Sequence, residues 1–131
     1  LSGILIGPLP DRNGQILRNK LLTALNTKSK ISKPIYSLNL KLYDTTSTLA
    51  FSKKSFATRA NLSVKSEFYL IRIKDNKTLY FGKSESTVSY NILKNEYATI
   101  AVKKDAMVRG LQEISQNIQG QLGLYFMRIQ K

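Results

Sequence analysis

A chain of 131 residues, 42% of them hydrophobic, carries enough apolar material for one core, so a single domain over 1–131 is expected. It contains no Cys and no His, which removes disulfide staples, thiolate and imidazole metal sites, a Cys nucleophile and the Ser/His/Asp triad, and so argues against an enzyme. With 21 Lys+Arg against 8 Asp+Glu the net charge is +13, a field that concentrates polyanions, whether nucleic acid, an acidic lipid surface or an acidic protein.

Residues 1–6 (LSGILI) read as a first strand, closed by Gly7-Pro8-Leu9-Pro10 because proline donates no ladder hydrogen bond. The chain starts at Leu1, which leaves room for a signal peptide or a lipid-attachment Cys upstream. Asp11 offers an N-cap, and Ile16, Leu17, Leu21, Leu22 and Leu25 recur at helical spacing, predicting an amphipathic helix over 12–26. The stretch NTKSKISKP that follows is polar, basic and proline-terminated, a loop.

Tyr36, Leu38, Leu40 and Leu42 alternate with polar neighbours, the period of a half-buried strand. Residues 44–47 (DTTS) mark a bend or bulge, 48–51 continue the strand, and Ser52-Lys53-Lys54-Ser55 reads as a hairpin connection. A long third strand over 57–73 places Ala60, Leu62, Val64, Ser66, Phe68 and Leu70 on one face. After the turn Lys74-Asp75-Asn76-Lys77, residues 78–90 return as a fourth strand. The small residues Ser66, Gly82 and Ser84 predict a close approach of a helix to the sheet, with a bulge as the alternative.

The longest periodicity lies in the last third of the chain. Met107, Leu111, Ile114, Ile118, Leu122, Tyr125 and Ile129 form one stripe on a helix expected to start near Tyr97. Gly110, Gly120 and Gly123 each cost that helix about 1 kcal/mol relative to Ala, so close packing against the sheet is expected at them, with an intermolecular contact or fraying as alternatives. The predicted fold class is an α/β two-layer sandwich: two helices packed on one face of a four-stranded, mostly antiparallel (mixed) sheet. The other sheet face then carries Asn39, Lys41, Arg59, Asn61, Lys65 and Glu67, with Tyr43, Tyr69 and Tyr80 among them. That face is either simply solvated or covered by a partner.

Lys53 and Lys54 at the hairpin, with Lys94, Lys103 and Lys104 near the start of the long helix, form either a polyanion site or a solubilising scatter. Two lysines at a helix N-terminus oppose its macrodipole, which favours an anion partner if the helix begins nearby. The carboxylates fall mostly in turns or beside basic residues, and neither an acid/base pair nor a phosphate-cradling glycine loop is present, so no cofactor and no metal are expected. Charge alone also permits a basic nucleic-acid-binding module, although no specific signature for one is found.

Several segments resemble one family in combination. They are Asp11-Arg12-x-Gly14-Gln15-x-Leu17-Arg18-Asn19-x-Leu21 in the first helix, Tyr36-x-Leu38, Thr58-Arg59, and Ser89-Tyr90-Asn91 leading to Tyr97-Ala98-Thr99. The long helix adds Asp105-Ala106-x-x-Arg109-x-Leu111, then Ile114, Ile118, Leu122 and Tyr125-Phe126. Over nearly the whole chain this is similar to the LPS-assembly lipoprotein LptE (RlpB-like) of alphaproteobacteria. The family's lipobox Cys is absent from the sequence.

The resemblance implies two helices against a four-stranded sheet and a non-enzymatic subunit of the outer-membrane lipopolysaccharide translocon. Such a subunit plugs an LptD-type β-barrel in a 1:1 complex, aids its assembly and delivers lipopolysaccharide to the outer leaflet. It also implies an N-terminal lipid anchor on the periplasmic side of the outer membrane, and no nucleic-acid partner. The family's lipopolysaccharide-contacting region corresponds to Lys53 and Lys54, with Arg59 as an extension; Lys94, Lys103 and Lys104 complete the candidate set.

Overall fold

Period-two alternation in the middle of the chain and a 3.6-residue period at its end generate the two layers seen in the structure, a computed structural model that describes residues 3–25, 34–49 and 59–129. The elements in order are β1 (Ile4–Ile6), α1 (Arg12–Leu25), β2 (Tyr36–Leu49), β3 (Arg59–Arg72), β4 (Lys77–Asn91) and α2 (Glu96–Ile129). The sheet order is β1-β2-β3-β4. β1 pairs parallel with β2 through the α1 crossover, and the other two pairings are antiparallel. Both helices lie on the same face and touch each other, which is the expected sandwich.

Local chemistry accounts for the helix starts. Asp11 Oδ1 accepts the Gly14 N–H at 2.6 Å, the predicted cap of α1. Asn95 Oδ1 accepts the N–H groups of Tyr97 at 2.8 Å and Ala98 at 3.3 Å, and so caps α2. On α1 the buried stripe is Gly14, Leu17, Leu21 and Leu25. On α2 it is Met107, Leu111, Ile114, Ile118, Leu122 and Phe126. Phe126 replaces the predicted Tyr125 and Ile129, because the helix outruns the sheet: Ile129 is exposed and Tyr125 is only half-buried. Burying these six side chains contributes at most about 10–18 kcal/mol before entropy is counted.

β3, 14 residues long, spans about 46 Å, and α2, with 34 residues, about 51 Å. α2 lies along β3 and β4, its approach permitted by small residues. A Cβ on Gly110 would come within 3.2 Å of Val64 Cγ2, and one on Gly82 would overlap the Phe68 ring. The expected close packing therefore holds at Gly110 and Gly82. At Gly120 and Gly123 it does not, since nothing lies within 4 Å of a Cβ there.

Two expectations for the strands are corrected. Residues 44–47 neither bend nor bulge: Asp44 pairs with Val64 and Ser47 with Asn61 in unbroken register. Their polarity has another cause, for no helix covers this end of β2 and both its faces are wet. The irregularity falls instead beside the β3–β4 turn, where Leu70 pairs with Tyr80 and Ile71 with Thr78, leaving Leu79 over. Tyr80 points inward onto Phe68 and Tyr125, in the same alternation as Gly82, Ser84, Val88 and Tyr90, so that Phe81, not Tyr80, joins Tyr43 and Tyr69 on the outer face.

Candidate functional site

The strand directions gather one end of the molecule. β2 leaves the sheet at Leu49, β3 enters it at Arg59, and Arg59 pairs across β4 with Asn91, just before Lys94 and the start of α2. Arg59 and Lys94 are both exposed at this end. Lys53 and Lys54 lie outside the described residues. Lys103 and Lys104 are exposed on α2, seven and eight residues after Glu96, where the field of the helix terminus has faded. The macrodipole argument for an anion at these two lysines therefore lapses.

A different argument replaces it. Lys103 and Lys104 line a cleft of about 450 Å³ between the start of α1 and the upper half of α2. α1 contributes Arg12 and Ile16, β2 contributes Asp44, and α2 adds Ile100, Met107 and Val108. Among the described residues no carboxylate lies within 4 Å of Arg12, Lys103 or Lys104. The acids nearby in sequence are engaged elsewhere, with Asp105 bound to Arg109 at 3.1 Å. The cleft exists because β2 runs on past the start of α1, leaving its last residues without a lid. Ile100 and Val108 lie off the core stripe and remain 51% and 41% exposed.

The outer sheet face is a second surface without cover among the described residues. The Tyr69 and Phe81 rings lie 4.8 Å apart, with the Lys83 ammonium 5.8 Å from the centre of Phe81. Tyr43 donates to Glu67 at 3.3 Å, Ser89 to Asn61 at 2.6 Å, and Lys65 meets Glu85 at 3.9 Å. The face is thus a polar lattice with an aromatic patch, matching the expected set Asn39, Lys41, Arg59, Asn61, Lys65 and Glu67.

Chemically, this arrangement offers cations and apolar walls. Among the described residues no group of three or more His, Cys, Asp or Glu side chains is placed to hold a metal. No described helix is long and apolar enough to cross a membrane. The sequence reading missed Arg12, Ile16, Asp44, Ile100 and Val108. The one available signal was Ile100 and Val108 sitting off the stripe of an otherwise well-ordered helix.

No protein-family model matches the chain, and no curated protein matches it in sequence. Solved structures do match in fold. A candidate lipoprotein from Caulobacter crescentus CB15 superposes with a TM-score of 0.78 at 23% identity, over 96% of this chain and 91% of that chain. The rare lipoprotein B from Shewanella oneidensis gives 0.74 at 14% identity over 98% of both chains. A lipoprotein B from Nitrosomonas europaea gives 0.70 at 15% identity, over 95% and 83%. The class defined is therefore a fold, that of lipoproteins of the rare lipoprotein B type, and the RlpB-like fold expected from the sequence is the one observed.

Proposed function

We propose that this chain is a non-enzymatic lipoprotein of the LptE type. In this reading it is tethered at the periplasmic side of the outer membrane by an N-terminal lipid anchor and sits in the lumen of an LptD-type β-barrel as a 1:1 complex. It aids the assembly of that barrel and binds lipopolysaccharide for delivery to the outer leaflet. The observation that carries the reading is the fold shared with rare lipoprotein B over 98% of both chains. The polar outer sheet face suits a polar barrel lumen, and the basic end suits the phosphates of lipopolysaccharide.

Lys53, Lys54, Arg59, Lys94, Lys103 and Lys104 form the proposed lipopolysaccharide-binding set. The test is lipopolysaccharide binding by the purified chain and by a Lys53→Asp, Lys54→Asp variant with an unchanged circular dichroism spectrum. Weakened binding is expected. Unchanged binding removes these two residues from the site, and tight salt-sensitive binding to RNA or DNA without preference for lipopolysaccharide replaces the reading with a nucleic-acid module.

A further inference from the structure

We propose that the cleft between α1 and the upper half of α2 holds the alkyl chain of a single-chain anionic amphiphile, with its phosphate at Arg12, Lys103 and Lys104. The proposal rests on the lipopolysaccharide reading for its ligand class, but the geometry that carries it stands apart from the hairpin lysines and from any barrel.

The size is right for a ligand, since small-molecule sites run from about 300 to 1,000 Å³ and this one is about 450 Å³. Its walls are apolar: Ile16 from α1 faces Ile100, Met107 and Val108 from α2. Its charge is one-sided, with three cations against the single carboxylate of Asp44. A wholly apolar ligand would leave those cations unused, and inorganic phosphate would leave the isoleucine and valine walls wet. An alkyl phosphate satisfies both, because burying methylenes stabilises the complex while charge-assisted hydrogen bonds fix the head. Asp44 also disfavours a second phosphate close to the first, so a single-headed amphiphile fits better than a run of phosphates such as a nucleic-acid backbone.

Ile100 and Val108 are tolerant places to test this, being 51% and 41% exposed and outside the buried stripe. The probe is dodecyl phosphate below its micellar concentration, titrated into the purified full chain and followed by amide NMR shifts and calorimetry. Saturable 1:1 binding is expected, with the largest shifts at Ile16, Ile100, Lys103, Lys104 and Val108. A Lys103→Glu, Lys104→Glu variant is expected to weaken binding about tenfold or more, and Ile100→Asp to do the same without touching a cation. Arg12→Glu serves as a third variant, at a position where an acidic residue favours the helix N-terminus, should either of the others fail to fold.

Equal binding of dodecyl phosphocholine, equal competition by inorganic phosphate, shifts centred away from the cleft, or no binding would each overturn the proposal. Lipopolysaccharide binding that is insensitive to these variants rejects the cleft and removes Lys103 and Lys104 from the lipopolysaccharide-binding set, while leaving the LptE-type function to the other basic residues. Binding of dodecyl phosphate by a chain that joins no barrel rejects that function while leaving the cleft.

Discussion

Gly82 and Phe68 are cross-strand partners, and the ring of Phe68 lies over the position a side chain on Gly82 would take. A Cβ there would also sit 2.6 Å from Gln121 Oε1. Gln121 cannot easily give way. It accepts from Tyr80 Oη at 2.9 Å and donates to the Lys83 carbonyl at 2.8 Å, tying α2 to β4. Gly82→Ala should therefore destabilise the chain by about 1–3 kcal/mol, as overpacking does. Gly120→Ala, with open space around it, should stabilise by up to about 1 kcal/mol. Urea denaturation of both variants checks the pair, and the same sign for the two would contradict this account of the helix–sheet approach.

Ser66 and Ser84 face each other across β3 and β4 under α2, and neither hydroxyl has a hydrogen-bond partner among the described residues. A neighbouring serine on β4 fares differently: Ser86 donates to Glu113. An unpaired buried hydroxyl costs about 1–3 kcal/mol. Ser66→Ala keeps the small volume that lets α2 approach and removes that cost, so a gain of about 1 kcal/mol is expected. Ser86→Ala should instead lose stability. Thermal melts of the two variants at neutral pH read the difference.

Much of this packing was legible in the sequence, because it depends on periods. The α2 stripe from Met107 to Leu122 and the inward set Ala60 to Leu70 were readable from spacing alone, and Asp11 from its place before an apolar run. Ser66, Gly82 and Ser84 announced a close contact through their size. What was not legible depends on where one element ends over another. Phe126 wins the last stripe position from Tyr125 because it meets Tyr36 at 5.1 Å, a contact set by β2. The extra residue at Leu79 falls where β4 leaves the β3–β4 turn, a place that no alternation marks, whereas the inward side of Tyr80 follows the same alternation as Val88 and Tyr90. The basic end was half-readable: Lys103 and Lys104 stood out as charges, but their companions Arg12 and Ile16 are about ninety positions away and meet them only through the fold.

The β3–β4 turn carries the one strongly displaced acid among the described residues. Arg72 holds Asp75 through hydrogen bonds at 3.0 and 2.7 Å, and this lowers the carboxyl from 3.8 to about 2. The folded value lies below the unfolded one, so the pair's contribution is fully present above about pH 3.8 and is lost as the pH falls toward 2. Both side chains are largely exposed, so the effect is small. An Asp75→Asn variant should be less stable than the parent at neutral pH, and the gap should close between pH 3.8 and 2. A constant gap across that window would mean that the turn, not the charge, is responsible. Direct NMR titration of the carboxyl carbon gives the midpoint.

The proposed place of this chain inside an outer-membrane barrel is tested most directly by co-expressing it with its cognate LptD-type barrel and purifying the barrel through a tag. The account predicts a stable 1:1 complex that survives gel filtration in detergent, with side chains of the outer sheet face, including the exposed rings of Tyr43 and Phe81, shielded from hydroxyl-radical labelling only in the complex. A barrel that purifies without this chain, or a complex in which those side chains are labelled as freely as in the isolated chain, would contradict it.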